Sequence, residues 1–337
     1  MKLQVLVKEL FLKHTFTISF LSRDAQDTLI VSLDDGNYFG LGEATTNPYY
    51  GATLDNMKAC LEKAKPIVEE MKWKNPEELW DKTREIFVDN PFAHCALDMA
   101  AWDWYAKSKS KKLYELLELD PRKIPTTNFT IGIDTIPKMI QKMQEFQWPL
   151  YKIKLGTDHD LEIVKELRKH TGAAFRIDAN CAWTAEQAIA YSDELKKLNV
   201  EFMEQPLASE DWEGMKEVFQ HSKLPVIADE SCITEVDVEK CHGHFHGINV
   251  KLVKCGGISP ALRMLYKAKK LGMKTMIGCM TESSVGVSAI AHLAPLLDYV
   301  DMDGAMLLEN DIAKGVIIRP DQVIFPEGSG IGAELLE

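Results

Sequence analysis

The stretch AFRIDANCAWTAEQAIAYSDELKKLNVEFMEQP, residues 174–206, decides the fold. A short apolar run ends in Asp178. A segment with the spacing of an amphipathic helix follows, and a second apolar run ends in Glu204, 26 residues after the first acid. Strand, helix and strand in that order predict a βαβ unit with parallel strands. The unit repeats outward on both sides. TNFTIGI, YKIKLG, FRIDAN, VEFMEQP, VIADES, GINVKL, KTMIGC and YVDMDG alternate with helical segments between Thr126 and Asp303. From the second run on, their ends fall at Lys154, Asp178, Glu204, Asp229, Lys251, Gly278 and Asp301, always 22 to 27 residues apart. A βα period that even predicts an eight-stranded barrel. An open doubly wound sheet is the alternative, and the lack of GxGxxG after the first strand speaks against it.

Ahead of the barrel, KLQVLVKEL, HTFTISF and DTLIVSLDDGNYFGLGEA read as strands, with a turn at Asp35-Gly36. From Thr53 to Leu119 the pattern is helical, until DPRKIP breaks it. This predicts an N-terminal domain over 1–120 and a barrel over 121–312. A helix-poor tail, about 313–337, is expected to pack back on the N-terminal domain. The 337-residue chain carries 39 Lys and Arg against 51 Asp and Glu, a net charge of −12. Such a field repels phosphate, which argues against nucleic-acid and anionic-membrane partners. Lys8, Glu9 and Lys13 interrupt the N-terminus as a leader peptide. No apolar stretch approaches the roughly 20 residues of a membrane span. Seven scattered cysteines without a CxxC pair read as reduced thiols in a cytoplasm.

Barrel active sites sit at the C-terminal strand ends. Three consecutive strands end in Asp178, Glu204 and Asp229. Close carboxylates repel one another unless a cation neutralises them, and an all-oxygen set suits Mg²⁺ first and Mn²⁺ second. Lys154 ends the second strand and Lys251 the sixth, diametrically opposed in such a barrel. Lys152 shares the inward face of Lys154. A carboxylate substrate on the metal has an acidified α-carbon, because the enediolate left by proton loss is stabilised. One lysine on each face of that carbon could remove and return a proton, the chemistry of a racemase or epimerase.

KIK, DAN, EQP, ADES and NVKLVKCGG, in this order, resemble the enolase superfamily, muconate lactonizing enzyme subgroup. The resemblance runs over essentially the whole chain. It implies an α/β fold, a (β/α)7β TIM-like barrel with an α+β N-terminal capping domain. It also implies Asp178, Glu204 and Asp229 as magnesium ligands, with Asn180 and Glu230 supporting them. Lys154 and Lys251 become the acid/base pair, and Lys152 assists the enediolate. Asp301-Met-Asp303 resembles the mark of the dipeptide epimerases in that subgroup. Placed across the mouth from the metal, those two acids would hold a substrate ammonium. The implied reaction is 1,1-proton transfer at the C-terminal residue of a dipeptide, with L-Ala-D/L-Glu in murein peptide recycling the best fit.

By the same resemblance, two cap segments close the site: FLSRDAQ, residues 20–26, and TTNPYYGAT, residues 45–53, where Ala52 departs from the family's glutamate. Arg23 is expected to grip an acidic substrate side chain, and Tyr50, in the second segment, to contact the substrate. Thr281, Glu282 and Ser283, at the seventh strand end, are expected to face the pocket. The run CHGHFH, residues 241–246, could place imidazoles on one face for zinc, but it precedes the sixth strand, below the barrel, and reads as an exposed loop. The competing activities are o-succinylbenzoate synthase, which has no ammonium for Asp301 and Asp303 to hold, and a binding barrel without catalysis. A homo-oligomer stays open.

Overall fold

Alternation of apolar and polar residues makes the first 45 residues a three-stranded antiparallel sheet. The computed structural model describes residues 1–19 and 21–337. Strand β1 (Lys2–Ile18) is one long strand where the sequence reads as two, and it pairs with β2 (Leu21–Asp34), which pairs with β3 (Phe39–Thr45). The β1–β2 register shifts between Phe11 and Phe16, so the far end of the hairpin bends separately from its base. Helices α1 (Leu54–Glu70), α2 (Pro76–Thr83), α3 (Pro91–Ser108) and α4 (Leu113–Leu116) follow. Asparagines at 75 and 90 cap α2 and α3, each followed by proline at the first helical position. Gly40 and Gly42 let α3 lie directly on β3; a Cβ at either would collide with α3 backbone.

The barrel strands are β4 (Phe129–Ile131), β5 (Leu150–Lys154), β6 (Ala174–Asp178), β7 (Val200–Glu204), β8 (Val226–Ala228), β9 (Gly247–Val250), β10 (Lys274–Gly278) and β11 (Tyr299–Asp301). They are parallel in sequence order, and a Thr127–Val300 bridge closes the ring. The intervening helices are α5 (Ile136–Glu145), α6 (Asp160–Arg168), α7 (Ala185–Lys197), α8 (Trp212–His221), α9 (Asp237–Cys241), α10 (Leu252–Cys255), α11 (Ile258–Lys270) and α12 (Ser284–Leu293). Among the described residues no α-helix follows β11. The tail instead runs as short strands, and its Gly330 exchanges backbone hydrogen bonds with Lys111 and Leu113. The N-terminal sheet lies over the C-terminal ends of the barrel strands. Thr17 O accepts from Ile133 N, and Phe11 O accepts from Glu309 N.

The run at 241–246 forms the turn from α9 into β9. Its imidazoles take separate partners: His246 Nδ1 accepts from Val226 N, and His244 meets the Trp212 ring edge-on. Its Cys241 and Phe245 are buried, so the segment is partly core where the sequence suggests an exposed loop.

Candidate active site

Along each barrel strand, side chains alternate between the interior and the exterior, so an inward residue at a strand's C-terminal end faces the barrel mouth. Asp178 closes β6 and Glu204 closes β7, in register with each other, and Asp229 follows β8 by one residue. All three are fully buried, and one oxygen from each lies within 4.8 Å of the others. Those converging oxygens face ammonium groups. Asp178 Oδ2 is 2.6 Å from Lys154 Nζ and 3.0 Å from Lys152 Nζ. Glu204 Oε2 is 2.8 Å from Lys152, and Asp229 Oδ2 is 2.8 Å from Lys251. Neither Glu204 Oε2 nor Asp229 Oδ2 has a well-directed hydrogen bond. Three buried, inward, all-oxygen donors of this kind fit a hard divalent cation such as Mg²⁺.

The charges are strongly interdependent. Burial raises Asp178, but Lys154 and Lys152 outweigh it and hold the acid at about 2. Asp229 is likewise held well below the usual range, against burial, by Lys251 and Lys254. Glu204 is pushed up to about 7 by burial and by its two acidic neighbours, despite Lys152. Lys152, fully buried, resists desolvation because Asp301, Glu204 and Asp178 surround it and keep it protonated.

Above this floor opens a cleft of about 770 Å³, counted to its open mouth. Lys152, Lys154, Asn180, Glu230 and Lys251 line its base. Asn180 Nδ2 and Glu230 Oε1 are 3.3 Å apart. Burial and the nearby Asp229 push Glu230 up to about 7. Asp301 and Asp303 form one wall. Asp301 ends β11, opposite β7 and Glu204 in the ring, and its Oδ2 takes Lys152 Nζ at 3.0 Å, so a single ammonium bridges it to Asp178 and Glu204. The long Lys152 side chain spans the narrow interior, which reasoning from strand positions alone does not anticipate. Asp303 Oδ2 accepts from Thr130 N at 2.5 Å, and burial next to Asp301 pushes its carboxyl up to about 8.

The cap forms the opposite wall with Phe16, Arg23, Thr45, Asn47, Tyr49 and Tyr50. Arg23 lies in β2 rather than in a loop, opposite Phe16 near the hairpin tip. Its Nε is buried without a hydrogen bond, and it makes no ion pair among the described residues. Phe20, also in that segment, lies outside the described residues. From the seventh strand end, Cys279, Met280 and Thr281 reach the cleft. Glu282 and Ser283 do not. Ser283 caps α12 and binds the buried Glu43 of β3, and Glu282 turns to accept from Met280 N. Helix-start chemistry pulls both away from the pocket where their position in the sequence puts them in it.

Four other polar residues are built into the floor. Asn249 donates to Glu204, and Lys254 to Asp229. Gln205 Oε1 accepts from Asp229 N and Ser231 N, and Asn128 donates to Asp301. A signal exists for two of them. Asn249 is the polar residue two before Lys251 in an apolar run, as Lys152 is two before Lys154. Lys254 is a lone cation inside LVKC.

Residues 137–337 match the family described as enolase C-terminal domain-like, and residues 2–118 match the mandelate racemase / muconate lactonizing enzyme N-terminal domain. An L-Ala-D/L-amino acid epimerase of Flavobacterium johnsoniae is 58% identical over 336 residues, covering 100% of both chains. A crystal structure of a dipeptide epimerase from Enterococcus faecalis V583, complexed with Mg and the dipeptide L-Leu-L-Tyr, superposes with a TM-score of 0.90 at 30% identity, covering 98% of both. One from Cytophaga hutchinsonii, with Mg and D-Ala-L-Val, gives 0.94 at 25% identity over 99% of this chain and 95% of the other. With the carboxylate floor, the flanking lysines and both domain matches in hand, the chain belongs to the enolase superfamily, in its mandelate racemase / muconate lactonizing enzyme branch.

Proposed function

We propose that this protein is a Mg²⁺-dependent dipeptide epimerase that inverts the α-carbon of the C-terminal residue by 1,1-proton transfer. The observation that carries the reading is the pair Lys154 and Lys251. They come from the second and sixth barrel strands, at the base of one cleft, and each touches one of three converging carboxylates. Asp178, Glu204 and Asp229 hold the metal in this reading. Bound there, Mg²⁺ supplies the charge neutralisation that makes the α-proton of a carboxylate substrate removable.

The chain's own groups do the rest. One lysine, as the neutral amine, takes the α-proton from one face. The other, as ammonium, returns a proton to the opposite face, so one base gains what the other loses and the stereocentre inverts. Lys152, buried beside Asp178 and Glu204, assists the enediolate electrostatically. Asp301 and Asp303 receive the substrate ammonium, which offsets the cost of two buried acids side by side. Only a C-terminal residue has a free α-carboxylate, which selects the carbon that is inverted. Residues 1–120 and the tail from about 313 act as the cap, with 121–312 as the catalytic barrel.

Arg23, on the cap wall with no ion pair among the described residues, supports an acidic C-terminal side chain, as in L-Ala-D/L-Glu, and thereby a role in murein peptide recycling. A wider range of C-terminal residues is favoured by the name of the Flavobacterium johnsoniae relative, an L-Ala-D/L-amino acid epimerase. Seven free cysteines support a reducing cytoplasm, and among the described residues no helix is long and apolar enough to cross a membrane. The deciding experiment is a dipeptide library in D₂O, read for α-deuterium uptake. L-Ala-dipeptides are expected to exchange at the C-terminal residue with Mg²⁺, to stop with a chelator, and to resume when Mg²⁺ returns. Exchange that is indifferent to chelation, or confined to the N-terminal residue, overturns the reading.

A further inference from the structure

The three floor carboxylates share a pattern: each has one oxygen turned inward and the other tied from behind. Asp178 Oδ1 accepts from Asn180 N at 3.0 Å, Glu204 Oε1 from Asn249 Nδ2 at 2.8 Å, and Asp229 Oδ1 from Lys254 Nζ at 2.5 Å. Among the described residues, the inward partners, Asp178 Oδ2, Glu204 Oε2 and Asp229 Oδ2, meet only the ammonium groups of Lys152, Lys154 and Lys251.

The rear ties are rigid. Lys254 is fully buried, and its ammonium also donates to Asp229 O at 2.5 Å and to Cys232 O at 3.2 Å, so all three of its protons are committed. It stitches α10 to the turn after β8. Asn249 is fully buried on β9, and its place depends on a missing side chain: a Cβ at Gly278 would stand 2.7 Å from Asn249 Nδ2.

We infer that Lys254 and Asn249 are positioning residues that make Asp229 and Glu204 present one oxygen each, and that this sets a preference for Mg²⁺ over Ca²⁺. Mg²⁺ takes few protein oxygens and keeps its remaining positions for water or substrate. Ca²⁺ gains from carboxylates that offer both oxygens. With the rear oxygens occupied, the floor withholds what the larger ion needs. The inference rests on the reading of Asp178, Glu204 and Asp229 as the metal site.

The test is calorimetric titration of the full chain with Mg²⁺ and, separately, Ca²⁺, for wild type, Lys254→Met and Asn249→Leu. Both variants keep the side-chain size and remove the donor. Each is expected to weaken Mg²⁺ binding about 10- to 100-fold, the usual effect of losing a residue that orients a ligand. Ca²⁺ binding is expected to fall less, so the Mg²⁺-to-Ca²⁺ ratio of affinities drops. A residue that only holds the fold lowers Tm and leaves that ratio alone. Folded variants with the wild-type ratio overturn the inference. If Lys254→Met does not fold, Asn249→Leu decides alone, since it removes no charge. Wild-type protein that binds neither ion overturns the metal-site reading itself, a different result from equal binding by all three proteins.

Discussion

The carboxylate floor and the cap wall meet at one cleft but are built in opposite ways. Asp178, Glu204, Asp229, Lys152 and Lys254 are at or near zero exposure, and every charge among them has at least one opposite charge within 3.0 Å. Arg23, on the cap, is half-buried with no ion pair among the described residues, and Tyr50 of the same wall is also half-buried. Moving one group on the floor leaves another buried charge uncompensated, a cost of about 3–5 kcal/mol. Moving one on the cap costs little. The contrast assigns the chemistry of the proposed reaction to the rigid floor and the choice of side chain to the less constrained cap.

The largest break in that comparison is expected on the floor. Lys154→Ala and Lys251→Ala should each lower kcat/KM by about 10² to 10⁴. Each should abolish α-proton exchange from one epimer while the other epimer still exchanges, read by NMR in D₂O. Wild-type exchange of both epimers by both variants would rule out opposed bases.

The wall at Asp301 and Asp303 should answer next. An N-acetylated dipeptide lacks the ammonium and is expected to lose about 10- to 100-fold in kcat/KM, equivalent to one charged hydrogen bond of about 1.5–3 kcal/mol. Equal kinetics for free and acetylated peptides would remove these acids from substrate binding. On the cap, Arg23→Met should lower kcat/KM for L-Ala-L-Glu about tenfold and leave L-Ala-L-Leu nearly unchanged. A parallel loss on both substrates would make Arg23 structural and erase the division between floor and cap.

The smallest effect belongs to the seam between the two regions. Asp98 of α3, fully buried, accepts from Ser259 N and Oγ at the start of α11. Burial pushes its carboxyl up to about 7, against those hydrogen bonds, from an ordinary 3.8. Between these values the folded protein keeps a proton that the unfolded chain has lost. Stability from this group is therefore full below about pH 4 and falls as pH rises through 7. Tm should drop by a few degrees between pH 5 and pH 8, and Asp98→Asn should flatten part of that slope. An unchanged slope in the variant would show that the seam carries no titrating acid.

Much of this was legible in the chain itself. An even βα period and apolar runs closed by acids determine a barrel and the strand ends that carry its chemistry, because strand direction and side-chain alternation are local properties. Asp178, Glu204, Asp229, Lys152, Lys154 and Lys251 could all be named that way. What a side chain meets across the ring is not local, and only the tertiary structure decided it. Lys152 reaches Asp301 as well as Asp178 and Glu204 because the barrel is narrow, so one ammonium ties the Asp301–Asp303 pair to the three floor acids. Glu282 and Ser283 leave the pocket because a helix start and the buried Glu43 compete for them. Lys254 and Asn249 acquire a purpose only when β8, β9 and α10 fold them behind two carboxylates. Spacing along a strand names the groups that point inward; the closure of the ring decides which of their atoms remain free.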